Sequence, residues 1–268
     1  MSEIWTIIQT NFIVLIMVLA RVTGIFTFNP VFSRNGVPSM VKVGISFVLA
    51  LVMTLGGDFS YYQMPSGTLP FVFDFAKELL VGAILGFFTN IVMQVFSLAG
   101  EEIDMQIGLS MGKAYDPTFG SAGVTTQFYS YWFILYFFTV GAHESYIKLF
   151  AVSYDSIPLG YTSFNLNILY VLPRFFQSVM ELGLKLAMPI IIAEIATEFC
   201  IGVLMKAVPT IHVFVLNIQL KLLVGFVVLT ASCGVVGEFI DMLMELLFEN
   251  LYSLTENFVS PAVVRMLC

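Results

Sequence analysis

The sequence predicts an all-α membrane protein. It should hold about six long hydrophobic helices or helical hairpins, an inserted glycine-rich loop and an amphipathic C-terminal helix. Three observations carry this expectation. Of the 268 residues, 59% are hydrophobic and only 11% are charged, whereas a soluble domain carries about 25% charged residues. The mean hydropathy is +0.94. Long runs, such as Leu79 to Gly100, hold no charge at all. Spanning hydrocarbon takes about 20 apolar residues per helix, so the length accommodates roughly six spans in one domain, 1–268.

Composition also excludes classes of function. The net charge of -7 argues against a nucleic-acid surface, which would be basic. No polybasic stretch is present to hold anionic lipid. Cys200, Cys233 and Cys268 are odd in number and far apart, with no CxxC, so neither a disulfide framework nor a zinc site is expected. The start, MSEIWTIIQ, carries Glu3 and no basic segment. It does not resemble a cleaved secretory signal, and the first helix is expected to stay as an anchor.

The elements follow in order. Ile4 to Ala20 is charge-free, and its apolar pattern continues past Arg21 to Phe28. Asn29 to Pro38 holds two prolines and a glycine and reads as a rigid turn. Val43 to Gly57 is a second apolar run, short for a span at 15 residues. Gly57 to Pro70 is a loop. A third helix is expected from near Phe71, interrupted early by Lys77 and Glu78. The aromatic run from Thr125 to Ala142 suits core packing or an interfacial belt. Gly141 to Gly160 is mixed and polar, and its His143 suits a hydrogen-bonded structural role near a helix end. Arg174 to Met205 reads as one helix, with Glu181 and Lys185 placed to pair at i,i+4. Ile211 to Val236 is the last apolar run. In the C-terminal helix, expected over 238–258, Glu238, Asp241, Glu245, Glu249 and Glu256 recur at spacings of 3, 4, 4 and 7, which puts them on one face. That stripe suits water or a basic protein partner better than lipid headgroups.

Ala99 to Phe128 is unlike its surroundings. It holds Glu101, Glu102 and Asp104, then four glycines from Gly108 to Gly123, then Asp116-Pro117. It is too polar for lipid and too apolar for an ordinary linker, and loops of this length inside a domain are usually functional or disordered. The run Gly108 to Ala114 fails as a phosphate loop, because three residues separate its glycines and Ala114 stands where Ser or Thr must reach magnesium. His143 and His212 lie in no HExxH, and no GxSxG occurs, so no enzyme, cofactor or metal is expected.

Several motifs, taken with their order and spacing, point to one family. They are Arg21-x-x-Gly24, Pro30-Val-Phe32-Ser33, Val37-Pro38, Ala99-Gly100-Glu101, Gln106-x-Gly108-Leu-Ser-Met111, Asp116-Pro117, Gly141-x-His143 and Pro158-Leu-Gly160. Further on come Met188-Pro189, Gly202-x-Leu204-x-x-Ala207-Val-Pro209 and Val213-Phe214. Over nearly its whole length the chain resembles the FliR family, the single-copy export-gate component of the flagellar type III secretion apparatus. It is more distantly similar to the corresponding virulence-secretion proteins. Two departures stand out: Gln219-Leu220-Lys221 lacks the usual proline before the lysine, and His212 stands where Asn is usual.

The resemblance implies a non-enzymatic subunit of a helical gate in the bacterial inner membrane, at the flagellar basal body. It implies assembly with FliP and FliQ, contact with FlhB and with membrane lipid, and passage of exported flagellar polypeptides. It also implies a plug that seals the closed pore, carried here by Gly108, Leu109, Ser110, Met111, Gly112, Tyr115, Asp116 and Pro117. The competing interpretation of that segment is an ordered interhelical loop. Glu101, Glu102 and Asp104 are candidate pore-mouth acids or a solvated helix end. Lys185, Glu194, Glu198 and Lys221 would meet partner subunits. Within the chain, Glu194 and Glu198 could instead pair with Lys185 or Lys206. The alternative function is a stand-alone secondary transporter with its site at Glu194 and Glu198, since intramembrane acids are functional candidates by default.

Overall fold

The computed structural model describes residues 2–34, 36–62, 67–115, 122–160, 168–207 and 213–258. Every regular element among them is a helix: α1 (Ser2–Phe28), α2 (Ser39–Gly56), α3 (Thr68–Ile107), α4 (Ser110–Tyr115), α5 (Val124–Thr139), α6 (Ala142–Ser156), α7 (Ile168–Ala207), α8 (Val213–Ala231) and α9 (Cys233–Phe258). The all-α class is therefore as the sequence predicts. Four of these helices are long and apolar enough to cross a membrane: α1 over Asn11–Phe28, α2, α3, and α7 over Val171–Ala207. The count is five if α8 and α9, bent by 58° at their junction, form one span. Among the described residues this count stands beside an expected six or so, and α3 and α7 take 40 residues each. That is about 60 Å of helix, roughly twice what one span needs. Helices α5 and α6, at 16 and 15 residues, fall short of a span.

Several boundaries differ from the sequence reading: α7 starts at Ile168 rather than Arg174, the apolar run Ile211 to Val236 is split at Ser232 between α8 and α9, and the C-terminal helix starts at Cys233 rather than 238. In α2 and α3 the reason is local. Helix α2 begins at Ser39, just after Pro38, so it reaches 18 residues rather than 15. Helix α3 runs through Lys77 and Glu78, since Lys77 pairs with Asp74 at 2.7 Å and Glu78 turns inward. It also continues past Ala99 to Ile107. Phe96, Ala99, Ile103 and Ile107 are all buried, and their spacing extends one helical stripe. The acids made this segment read as loop, but they only occupy positions between the apolar ones.

Two compact units are formed. The first holds Met1–Ile91, Gly141–Pro173 and Leu247–Cys268. Its core is built from Met17, Val22 and Ile25 of α1, Leu85 and Phe88 of α3, and Tyr146 and Phe150 of α6. Tyr146 and Phe150 meet edge to face with centroids 4.5 Å apart. Helices α1 and α3 cross closely through Gly24, Gly82 and Gly86. A Cβ on Gly24 would come 2.5 Å from the Leu79 carbonyl, and one on Gly86 would come 2.5 Å from the Ile25 carbonyl. A groove of about 780 Å³ runs between α2 and α6, walled by Leu49, Val52 and Met53 on one side and Ile147 and Ala151 on the other.

The second unit holds Val92–Val140 and Arg174–Leu246. Tyr129, Phe133 and Phe137 of α5 are buried at i,i+4 spacing, and Phe133 packs on Phe96 with centroids 5.2 Å apart. So one face of the aromatic run is core, while Tyr131, Leu135 and Phe138 are exposed. Val179, Ala187 and Ile190 of α7 complete this core, and Gly183 brings α7 against Val95 and Leu98.

Candidate functional site

In the first unit the chemistry gathers on Arg21, which is 0% exposed. An arginine buried in an apolar helix needs its donors answered. Nε donates to Glu78 at 2.7 Å. One terminal nitrogen donates to the Ser153 carbonyl at 3.0 Å and the other to the Ile157 carbonyl at 2.8 Å. The guanidinium carbon lies 4.2 Å from the centre of the Tyr154 ring, a cation–π contact. The second Glu78 oxygen accepts the Gly160 amide at 3.1 Å. Gly160 has φ +75°, a left-handed conformation that glycine adopts without strain, and the Tyr62 ring lies against it. Burial pushes the Tyr62 hydroxyl up to about 12, helped by the Asp74 and Glu78 carboxylates. Arg21, Gly24 and Pro158-Leu-Gly160, separate motifs in the sequence, thus meet at one knot. Sequence reasoning missed its hub, the Arg21–Glu78 pair. The one available signal was Arg21 alone between the apolar runs of α1, and Glu78 at the start of the charge-free run Leu79 to Gly100.

In the second unit, Asp104 is 1% exposed. It accepts the Thr125 hydroxyl at 2.5 Å and the Thr125 amide at 3.2 Å. Gly123, the N-cap of α5, offers no side chain to its helix, so Asp104 caps the first turn from a neighbouring helix. Within this chain Asp104 is an internal cap, not a solvated acid. Glu101 reaches the Gly123 amide at 3.4 Å and is exposed, and Glu102 is half-buried.

The candidate plug segment follows directly. Gly108 ends α3 with φ +88°, again a conformation suited to glycine. Leu109 and Ser110 are half-buried, Gly112 is exposed, and Met111 is 52% exposed on α4. Part of the expected loop is therefore a six-residue helix, Ser110–Tyr115. Asp116 and Pro117 lie outside the described residues, as does His212.

The four candidate subunit-contact charges fall into three cases. Lys185 pairs with Glu181 at 2.7 Å, the i,i+4 partner that the sequence predicts. Glu198 is held by Lys221 from α8. This corrects the expected pairing with Lys185 or Lys206. Lys185 is nine residues before Glu194 and Lys206 eight after Glu198, separations of about 12–14 Å along α7, while α8 brings Lys221 alongside Glu198. Glu194 is 0% exposed, and neither of its carboxyl oxygens meets a donor among the described residues. Gln219 and Lys221 lie within an unbroken α8, consistent with the missing proline. No group of three or more metal-ligating side chains occurs among the described residues.

Comparison with known proteins adds the family. Residues 12–247 match the bacterial export proteins, family 1. The chain is 26% identical to the flagellar biosynthetic protein FliR of Escherichia coli (strain K12) over 249 residues, covering 90% of this chain and 91% of that one. It is 24% identical to the protein of the same name from Bacillus subtilis (strain 168), over 89% of this chain and 93% of the relative. The Aquifex aeolicus (strain VF5) protein of that name is 24% identical, over 89% and 90%. With this match across almost all of its helices, the chain belongs to the bacterial export proteins, family 1.

Proposed function

We propose that this chain is a non-enzymatic core subunit of the flagellar type III protein export gate in the bacterial inner membrane. The observation that carries this proposal is the family match over 12–247, joined to relatives called flagellar biosynthetic protein FliR that align along nearly their whole lengths. The chain would form part of the secretion pore with FliP and FliQ and would touch FlhB. Gly108 to Pro117 would be the plug. Its left-handed glycine and exposed methionine suit a soft apolar seal, because methionine adapts to irregular walls. Glu101 and Glu102 would face the pore mouth, and the exposed Lys185 and Glu198, with Lys221 beside Glu198, would lie toward partner subunits, whereas Glu194 is closed off inside this chain. Purification from native membranes tests the proposal. A fixed-ratio complex with two other small apolar proteins is the expected result, and a lone monodisperse chain would overturn it.

The second reading, a stand-alone transporter, is favoured by one observation: the unpartnered Glu194 carboxyl within α7. Transporters of that kind tend to carry internal repeats, and the two halves of the sequence show no convincing one. Loss of flagellar assembly on deletion of the gene, without loss of any solute uptake, would decide for the gate.

A further inference from the structure

Glu194 sits in the candidate span Val171–Ala207 with its side chain wholly buried. Both carboxyl oxygens lack a donor among the described residues, and an unsatisfied buried polar group calls for a physical explanation. The surroundings are specific. From α8, Gly225 comes so close that a Cβ there would lie 3.1 Å from Glu194 Oε1. The same absent side chain leaves room for Ile107 at the end of α3. Glu198 lies one turn further along α7, and Lys221 lies one turn before Gly225 on α8. Lys221 is already bound to Glu198.

Two carboxyl groups therefore share one ammonium. With Glu198 ionised against Lys221, an ionised Glu194 would be an uncompensated charge in apolar surroundings, next to a charge of its own sign. Both effects disfavour it, and a bound proton removes both. Lys221 and Gly225 are i,i+4 neighbours on one face of α8, so the face that carries Lys221 is the one that meets Glu194 at Gly225.

We propose that Glu194 is a proton-binding site buried where α7 meets α8, which holds its proton while Lys221 engages Glu198 and releases it when Lys221 turns to Glu194. On release the Glu194 O–H bond breaks and its electron pair stays on the carboxylate. The proton passes to water or to Glu198, whose counter-ion has left. The inference rests on this geometry and not on the export assignment, because the site lies within one chain.

Infrared difference spectroscopy of the full-length chain in lipid vesicles, recorded over a range of pH, tests it. A neutral-carboxyl carbonyl band is expected that is absent from Glu194→Gln, shifts in heavy water and fades as pH rises. Glu198→Gln frees Lys221 for Glu194, so the band should be lost at lower pH. Lys221→Met removes the cation, so the band should persist to higher pH. A purely structural acid would respond to neither change. If wild type and Glu194→Gln give the same spectrum, Glu194 is ionised throughout and the proposal fails. A Glu194 band that neither exchanges nor responds to pH would also overturn it, since such an acid exchanges no proton.

Discussion

Arg21 donates to Glu78 across 57 positions of sequence at 2.7 Å, and both side chains are closed off from solvent. Removing one member of such a pair leaves the other charge buried and uncompensated. Arg21→Ala should cost about 3–5 kcal/mol, read as a lower midpoint of thermal unfolding in detergent. Arg21→Lys should rescue little. A compact ammonium cannot match the planar fork that serves Glu78, Ser153 and Ile157 together. A midpoint unchanged by Arg21→Ala would refute the assignment of this pair as the hub of the first unit.

The α1–α3 crossing gives a paired prediction about two glycines. A Cβ on Gly82 would overlap the Arg21 carbonyl, which is backbone and cannot turn aside. Gly82→Ala should destabilise by about 1–3 kcal/mol. Gly44, also helical, has no atom within 4 Å of the added carbon, so Gly44→Ala should be neutral or stabilising by up to about 1 kcal/mol. Thermal unfolding of the two variants side by side is the measurement, and equal shifts would contradict the crossing.

The cross-helix cap is tested at Asp104. Asp104→Ala strips the Thr125 amide and hydroxyl of their acceptor and should cost about 0.5–2 kcal/mol. Hydrogen–deuterium exchange should quicken at the first turn of α5 while the buried Phe133 turn stays protected. Uniform exchange across α5 would show that the cap is not local.

The plug assignment predicts a leak. Deleting Ser110 and Met111 in the assembled complex should raise ion conductance through the membrane, measured in reconstituted vesicles. Replacing the exposed Asp58 and Ser60 by alanine should not. An unchanged leak in the first variant would return Gly108 to Pro117 to the status of an ordinary connection.

Much of the architecture was legible because it is written in short-range pattern. The apolar runs gave α1, α2, α3, α7 and α8, and the i,i+4 rule gave Glu181–Lys185 directly. What escaped depends on distant partners. The neighbours of Arg21 lie 57 to 136 positions away, and no periodicity announces them. Asp104 looked like part of a wet acidic cluster because its acceptor role is visible only once α5 has folded back onto α3. Gly100, where the charge-free run ends, lies inside α3, and its bare backbone answers to Thr126, which packs directly against it. The in-chain alternative for Glu198, Lys185 or Lys206, looked only along α7, whereas the lysine that reaches it comes from α8.

The order in which the chain leaves the ribosome gives the Arg21 knot a further consequence. When α1 emerges, its arginine has no counter-ion, because Glu78 is 57 residues downstream and Ser153 is 132 downstream. An arginine at the centre of a lone spanning helix costs about 2.5–3.5 kcal/mol on insertion scales. Nascent α1 therefore has no fully satisfied resting place in the bilayer until α3, and then α6, have been made. Its final seating is a late event in biogenesis, and truncated chains ending before α6 should present the first helix to quality-control proteases.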